Sequence, residues 1–376
     1  MRVLLMVVII MMLFSTSCQA FFLRSVKTTK IYDEDFITAE LSPDKERLFI
    51  ITNSDEIVLF DVKKGEIITR YPMITEEYVI YGHSVGWTVN NKIMLTKHHQ
   101  DEKRRIIKRY STHDLKRFEM LFQYDDNREK FLSKTNKKAI VLDTRTNEIK
   151  IKYSDGLQWN TGLSFKITGS SWSSDDRYVF LDCNKQTYLV DVEKQKIDEI
   201  DKFFSGRWAP TKNLLCFESE TFSRGVFEEE GIYIFNADNL NFTRFNTNLK
   251  PISQTLSWSP DSKYILAINI GKMNLLDANI PSNPPINLVD LDGVIEQGRI
   301  FWSQDLKHIL FSYRTRTINI FKPRNFYVAR INIKNGKMRK LYIDGLLYKE
   351  FFWIDDNTII YRVDHDNGLY KSELRW

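Results

Sequence analysis

One short stretch, Leu256–Ile270, constrains the fold more than any other part of the chain. It reads L-S-W-S-P-D-S-K-Y-I-L-A-I-N-I. Within it, Ser259–Ser262 has the composition of a tight turn, because proline presets φ at the second position and serine at the first can bond back to the backbone. Apolar residues alternate with Ser257 before the turn and form a continuous run after it. The stretch therefore predicts a hairpin whose second strand is buried on both faces.

The same pattern recurs along the chain at intervals of 36 to 51 residues. The register marks of the repeat are Leu41, Trp87, Tyr124, Trp172, Trp208, Trp258, Trp302 and Trp353. Periods of roughly 40–50 residues are typical of the four-stranded propeller blade. A helical solenoid is excluded because the segments are short, rich in β-branched and aromatic residues, and separated by turn residues.

The second half of each repeat supplies two further strands. An apolar strand that ends in a polar turn, followed by a more polar strand, occurs at Glu56–Val62, Ala139–Asp143, Thr187–Val192 and Tyr327–Ile333. Edge polarity protects an outer strand from pairing with other chains. The sequence thus predicts an all-β protein, a β-propeller of eight four-stranded blades. Seven blades are the alternative, because the Tyr124 repeat is weak and could merge with its neighbour.

The last repeat, Phe351–Trp376, has room for only three strands. These are predicted at Phe351–Ile354, Thr358–Val363 and Leu369–Leu374. We predict that Val26–Tyr32 closes this last blade as its outer strand. The alternative is that Val26–Tyr32 is a flexible tether.

The repeat resembles a known family. W-S-P-D followed by an apolar strand, together with turns such as D-V-K-K-G-E, resembles the TolB-type (WD-like) propeller repeat of bacterial envelope proteins and also the propellers of prolyl-oligopeptidases. The resemblance covers most of residues 34–376 and implies an exported interaction module. It implies no functional residue, because its residues build turns and blade packing. No G-x-S-x-G motif occurs, so we expect no prolyl-oligopeptidase-like hydrolase domain.

The first twenty residues have the composition of an export signal. Val3–Phe14 is an unbroken apolar run, too short for a stable membrane span. Cleavage after Ala20 satisfies the small-x-small rule; alternatively, Cys18 is the lipid acceptor of a bacterial lipoprotein. We expect 1–20 to be the signal and 21–376 a single propeller domain. The protein would then be periplasmic, membrane-anchored only through a lipid on Cys18, or secreted.

Composition gives little indication of a charged partner. Lys and Arg number 54 against 49 Asp and Glu, which leaves a net charge of +5. This balance does not indicate nucleic-acid binding. A hydrophobic content of 43% fits a folded globular chain. We expect a monomer without a nucleic-acid partner.

No local motif indicates catalysis, a cofactor or a metal. The six histidines form no HExxH motif, and His98 and His99, adjacent at a strand end, should point to opposite faces and make a poor chelate. A metal site gathered from several blades is the alternative. The paired carboxylates Asp175-Asp176 and Asp355-Asp356 lie at the repeat's hairpin turn, so turn formation explains them better than acid–base catalysis.

Two cysteines, Cys183 and Cys216, lie in the apolar second strands of neighbouring repeats. We predict that both are buried free thiols that act as small hydrophobic side chains. A disulfide between them is the alternative in an exported chain.

Three connections are longer than a hairpin needs: His98–Arg105, Glu218–Gly231 and Asp277–Ile286. Binding residues are often found on long loops of a rigid scaffold, although such loops also arise as tolerated insertions. The candidate binding residues in the first two are His98, His99, Arg104, Arg105, Arg224 and Glu229.

The sequence therefore predicts a non-enzymatic exported propeller that binds a protein partner or an envelope polymer. Binding would use loops of the top face and the mouth of the channel. The alternative is an enzyme or carbohydrate-active propeller whose site is assembled from several blades around the channel. Clustered His, Asp and Arg side chains at one channel end would favour the enzyme, and an apolar lining would favour the binding module.

Overall fold

The computed structural model describes residues 26–376, except 83–84, 102–103, 126–127, 136, 144, 184–185, 201–205, 220–230, 248, 250–254, 270, 292, 316–325, 343–345 and 364–365. In this part the chain forms an eight-bladed β-propeller of antiparallel sheets without an α-helix. The predicted fold class and the count of eight are confirmed. No helix in the described ranges has the length and apolar character needed to cross a lipid bilayer.

The strands are numbered in chain order, and each sheet is one blade. The first strand is β1 (Val26–Tyr32). Blade 1 consists of β2 (Phe36–Leu41), β3 (Arg47–Thr52), β4 (Glu56–Asp61) and β5 (Glu66–Pro72). Blade 2 consists of β6 (Tyr78–Val79), β7 (Val85–Trp87), β8 (Ile93–Asp101), β9 (Arg104–Thr112) and β10 (Glu119–Asp125). Blade 3 consists of β11 (Arg128–Leu132), β12 (Lys138–Asp143), β13 (Glu148–Tyr153) and β14 (Gln158–Ser164). Blade 4 consists of β15 (Gly169–Trp172), β16 (Tyr178–Cys183), β17 (Gln186–Asp191) and β18 (Lys196–Ile200).

The remaining blades follow the same order. Blade 5 consists of β19 (Gly206–Trp208), β20 (Leu214–Ser219), β21 (Gly231–Asn236) and β22 (Asn241–Arg244). Blade 6 consists of β23 (Thr255–Trp258), β24 (Tyr264–Asn269), β25 (Lys272–Asp277) and β26 (Ile286–Asp290). Blade 7 consists of β27 (Gly293–Trp302), β28 (His308–Thr315), β29 (Phe326–Asn332) and β30 (Met338–Tyr342). Blade 8 consists of β31 (Leu346–Trp353), β32 (Thr358–Val363), β33 (Asp366–Leu374) and β1.

Contacts divide the chain into two compact units. The six-blade unit comprises residues 36–269 and 273–287, and the two-blade unit comprises the residues before 36, 270–272 and 288–376. The two-blade unit holds blades 7 and 8.

The N-terminal strand closes blade 8. β1 pairs with β33 in the order β1-β33-β32-β31, so it is the outer strand, as predicted. The hydroxyls of Thr28 and Ser372 lie 2.7 Å apart, and the Lys30 ammonium forms ion pairs with Asp33 and Asp366. The alternative, a flexible tether, is wrong.

The second strands are buried on both faces, as their apolar runs predict. In β20, Leu215 and Phe217 pack in a cluster with blade 4 residues, whereas Cys216 between them packs with blade 6 residues. All three are at most 1% exposed. Burying a large apolar side chain contributes about 1.5–3 kcal/mol, so each second strand stabilises two interfaces between blades.

The repeat's turn is held by a serine and an aspartate. The serine hydroxyl accepts a hydrogen bond from the amide five residues later and donates one to the aspartate two residues later in four blades, at Ser42, Ser173, Ser259 and Ser303. The next residue after the aspartate has a φ of 55 to 64°. These side-chain bonds hold non-glycine residues in a conformation that they rarely adopt.

That left-handed residue also links successive blades. The Asn91 side chain accepts from the Asp44 amide at 2.9 Å, and the Asp176 carboxylate accepts from the amide and hydroxyl of Thr135. In the turn of blade 8, Asp356, which does not have a left-handed φ, accepts from the Gln304 amide at 3.3 Å. Both aspartate pairs therefore build turns, as the sequence indicated.

The repeat's tryptophans join neighbouring blades through their indole nitrogens. Trp87, Trp208 and Trp258 each donate to a main-chain carbonyl in the inner strand of the preceding blade, at 3.0, 3.2 and 2.7 Å. In these three blades the indole N–H adds a directed bond to the apolar packing, whereas the buried indole nitrogen of Trp353 has no hydrogen-bond partner among the described residues.

Blade 3 departs from the predicted register. Tyr124 lies in β10, the outer strand of blade 2, so its use as a register mark is wrong. The equivalent residue is Leu132, since the following Ser133 hydroxyl accepts from the Lys138 amide at 3.1 Å. For the same reason Ala139–Asp143 belongs to a second strand and not to a third.

Candidate functional site

The hairpin formed by β8 and β9 is the longest second-to-third-strand hairpin in the described part of the chain. Its ladder has nine residue pairs, from Ile93–Thr112 to Asp101–Arg104. The corresponding strands of blades 1, 3, 4, 5 and 6 have six residues each, and the corresponding ladders of blades 7 and 8 have seven and six residue pairs. The predicted long loop His98–Arg105 is therefore wrong: it is strand apart from residues 102–103, which lie outside the described residues.

The two adjacent histidines of β8 point to opposite faces, as predicted. β6 pairs with β8 so that Tyr78 lies opposite His99 and Val79 opposite His98. The His98 ring meets the Tyr81 ring edge-on with centroids 4.9 Å apart, and the His99 ring lies 5.9 Å from that of Tyr78. The two imidazoles do not form a chelate.

The His99 side chain is half-buried, and its Nε2 atom is fully buried. Its Nε2 atom has no hydrogen-bond partner among the described residues. Burial lowers the pKa of His99, and the ammonium groups of Lys108 and Lys97 lower it further.

Lys97 lies two residues before His99, on the same face of β8, inside four aromatic rings. Its Nζ atom is 4.1 Å from the ring centroid of Tyr78, and 4.7, 5.1 and 5.2 Å from those of Phe118, Tyr71 and Tyr110. Lys97 also donates to the Tyr71 hydroxyl at 2.5 Å. We call these five residues the Lys97 box.

Two effects act in opposite directions on the charged form of Lys97 in the box. Burial lowers the pKa of Lys97, whereas each ring face attracts its ammonium by about 0.5–2 kcal/mol. Burial also raises the pKa of Tyr71, whose hydroxyl accepts from Tyr78 at 2.8 Å. The box joins β5 of blade 1 to β8, and so holds the base of the hairpin.

Arg104 and Arg105 begin β9, opposite Asp101 and Gln100. The described residues give only the backbone at these four positions. Further along β9, Arg109 donates from Nε to the Thr96 hydroxyl at 3.0 Å. The strand therefore carries a run of basic residues at the far end of the hairpin.

Three other predicted site residues, Cys18, Arg224 and Glu229, lie outside the described residues. The connection that holds Arg224 and Glu229 joins β20 to β21. The third predicted loop, between Asp277 and Ile286, joins β25 to β26 as expected.

The two cysteines are free and buried, as predicted, and the disulfide alternative is wrong. Burial raises the pKa of both thiols, Cys183 and Cys216, to about 12. Thiols protonated at neutral pH are poor nucleophiles and poor metal ligands. In the described ranges, no group of three or more His, Cys, Asp or Glu side chains could hold a metal ion.

The sequence analysis missed the Lys97 box, although part of its signal was present. Lys97 follows Ile93 and Leu95 at alternating positions, which puts it on the face of β8 that packs against blade 1. The four rings come from three other strands and a turn, so their convergence on one ammonium requires the fold.

Comparison with solved structures establishes the fold alone. The C-terminal WD40 domain of Sif2 is 12% identical, covering 93% of this chain and 99% of that chain, with a TM-score of 0.54. A eukaryotic initiation factor is 11% identical over 91% of this chain and 86% of that chain, with a TM-score of 0.56. Porphyromonas gingivalis dipeptidyl peptidase 4 is 11% identical over 89% of this chain and 56% of that chain, with a TM-score of 0.59. No protein-family model matches the chain, and no curated protein matches its sequence. The chain is similar to these proteins as a β-propeller.

Proposed function

We propose that this chain is an exported, non-enzymatic propeller of TolB type that binds a protein partner, with the β8–β9 hairpin as its docking element. The observation that carries the proposal is the hairpin's nine-pair ladder, which extends three residue pairs beyond the common six-residue strands. A rigid extension on a rigid body is suited to binding, because little conformational entropy is lost when it docks.

The chemistry of the hairpin supports a protein partner. Arg104 and Arg105 follow a segment with two histidines, and arginine is enriched among the residues that dominate interface affinity. The Lys97 box fixes the base of the hairpin to blade 1, so the far end is presented in one orientation.

Export and TolB-type character rest on the sequence. The apolar run Val3–Phe14 with a small-residue end supports export, and the W-S-P-D turn at 258–261, with its variants in other repeats, supports the TolB-type repeat. A lipid on Cys18 would attach the propeller to a membrane. Mass spectrometry of the mature chain tests this: a lipidated Cys18 and an N-terminus after Ala20 are the two expected alternatives. An intact residue 1 would contradict export.

Affinity recovery after in-cell crosslinking tests the docking element. The full-length tagged chain is compared with the double variant Arg104→Glu/Arg105→Glu. The matched control is Lys63→Glu/Lys64→Glu, which makes the same charge change in the exposed turn between β4 and β5. We expect one reproducible protein partner that the hairpin variant loses and the control retains.

Two outcomes would contradict the proposal. One is equal recovery of the partner by both variants. The other is the absence of a reproducible protein partner at any crosslinker length, after which glycan arrays and hydrolase screens would test the polymer-binding and enzymatic alternatives.

A further inference from the structure

A cleft lined by basic side chains lies between blades 7 and 8 of the two-blade unit. Its volume is about 290 Å³, and it is bounded by β28, β29 and β30 on one side and by the C-terminal Trp376 on the other. Sites for small molecules begin at roughly 300 Å³, so the cleft has room for a compact ligand.

Strand register places like charges together in this cleft. Arg330 on β29 lies directly opposite Arg339 on β30, and Lys337 precedes β30 on the same edge. Like charges opposed across an antiparallel ladder destabilise it. None of the three forms an ion pair with another described residue. An anionic ligand would remove this repulsion.

The two asparagines of the cleft accept hydrogen bonds from main-chain amides through their side-chain oxygens. The Asn332 side-chain oxygen accepts from the amides of Lys334 and Asn335, at 3.0 and 3.2 Å. The Asn335 side-chain oxygen accepts from the Lys337 amide at 2.9 Å. The Asn332 NH₂ group already donates to Nε2 of His308 at 3.3 Å, which leaves it one further N–H, and the Asn335 NH₂ group is a second donor.

The Arg330 guanidinium is held by a hydrogen bond to His308, but one of its N–H donors has no acceptor. It donates from Nη2 to Nδ1 of His308 at 3.1 Å, whereas its buried Nε–H has no partner among the described residues. A buried donor without an acceptor costs free energy.

The carboxylate nearest to His308, that of Asp305, forms the hydrogen bonds of the repeat's turn. Asp305 lies 3.6 Å from Nδ1 of His308, but its oxygen accepts from the Ser303 hydroxyl and the Lys307 amide. These bonds hold the pKa of Asp305 at about 2. No Asp or Glu side chain lines the cleft in the described part of the chain.

Trp376 forms a fixed apolar wall. Its indole stacks on Trp353 with centroids 6.3 Å apart and donates to the Asp356 carbonyl at 2.8 Å. An aromatic face beside cationic donors suits a ring that carries a negative group.

We propose that this cleft binds a sugar phosphate, with the phosphate dianion on Arg330, Arg339 and Lys337 and the sugar ring against Trp376. Arginine matches phosphate oxygens with two parallel donors, and lysine supplies a point charge. A dianion neutralises two of the three cations, whereas a carboxylate neutralises one. The inference is independent of the docking hairpin, which lies in the six-blade unit.

Isothermal titration calorimetry of the mature chain tests this assignment with glucose 6-phosphate, inorganic phosphate and glucose at constant ionic strength. We expect saturable binding of glucose 6-phosphate at millimolar or lower concentration, weaker binding of phosphate and none of glucose. Arg339→Gln and Lys337→Gln should each weaken binding by about fivefold or more, the loss of one charge-assisted contact. Trp376→Leu should weaken the sugar phosphate and leave inorganic phosphate unchanged.

Lys340→Gln is the matched control, since Lys340 neighbours Arg339 on β30 but points to the other face, with its Nζ 5.4 Å from the Tyr327 ring centroid. It should leave both affinities unchanged. No saturable binding of either phosphate would overturn the proposal, as would a loss in Lys340→Gln equal to that in Arg339→Gln. Binding of phosphate with no gain from the sugar would overturn the assignment of the ring to Trp376.

Discussion

At the residue scale, some tryptophans of the repeat stabilise the fold by an indole hydrogen bond as well as by packing. Trp258 donates to the Arg207 carbonyl at 2.7 Å and is 7% exposed, whereas the Trp87 bond to Glu40 is open to solvent. Removing a buried donor leaves its acceptor unsatisfied, whereas water replaces an exposed one.

We predict that Trp258→Phe lowers the free energy of unfolding by about 1–3 kcal/mol. Trp87→Phe, the matched substitution at the exposed bond, should cost less than about 1 kcal/mol. Denaturant unfolding of the purified protein measures both free energies. Equal losses of unfolding free energy in the two variants would contradict this, because they would show that the lost ring volume and not the buried hydrogen bond determines the cost.

The lowered pKa of Lys97 predicts how the stability of the protein depends on pH. Because burial lowers the pKa of Lys97, the unfolded chain binds more protons than the folded chain between the folded pKa and the ordinary value of 10.5. The contribution of Lys97 to stability therefore rises as pH increases through that window. Tyr71, whose pKa is raised, contributes in the opposite direction at higher pH.

The difference between the wild type and Lys97→Met isolates the lysine. Methionine keeps the packing but removes both the buried charge and its ring contacts, so we expect the variant to lie within about 1 kcal/mol of wild type at neutral pH. The stability of wild type relative to the variant should increase from neutral pH towards pH 10. Unfolding curves measured across that range would contradict this if the difference were constant or falling.

At the element scale, β1 and β33 bring together residues far apart in sequence. Thr28 and Ser372 are Cα partners in this ladder, and paired residues of antiparallel strands lie at a separation that a disulfide can span. The buried thiols of Cys183 and Cys216, with pKa values near 12, should not compete.

We predict that Thr28→Cys/Ser372→Cys forms a disulfide on oxidation and raises the free energy of unfolding by up to roughly 5 kcal/mol, because the closed loop is long. The control Thr28→Cys/Glu373→Cys places the second thiol on the other face and should stay reduced. Non-reducing electrophoresis and mass spectrometry distinguish the two. Equal oxidation of both pairs would contradict the register.

The sequence predicted most elements because their signals are local. An apolar run beside a Ser-x-Asp turn fixes a second strand wherever it occurs, and a last repeat short of one strand indicates closure by β1. The register of blade 3 was predicted wrongly because Leu132 is not aromatic and the turn that follows it, S-K-T-N, lacks both proline and aspartate. Only Ser133 kept the repeat's hydrogen bond.

Long-range features were beyond the sequence for a physical reason. The acceptors of the indole bonds are main-chain carbonyls, which any residue supplies, so no residue type marks them. The basic cleft and the Lys97 box likewise depend on side chains from several strands. At both sites the strand register decides which side chains share a face.

At the scale of the whole molecule, the fold and the proposed function depend on different features of the chain. Packing and turn hydrogen bonds account for eight blades, and the same body supports many activities in other proteins. The function proposed for this chain therefore depends on what departs from the repeat: a hairpin longer than its counterparts and fixed at its base by Lys97.

The most direct test of this account is to map, in the cells that make this protein, the residues of this chain that crosslink to its proposed partner. Lys108 on β9 and Lys103 between the two strands provide amines on the hairpin, and Lys63 and Lys64 provide comparable amines in the turn between β4 and β5. The account predicts crosslinked peptides from Lys103 or Lys108 and none from the turn. Partner crosslinks confined to other blades would contradict it.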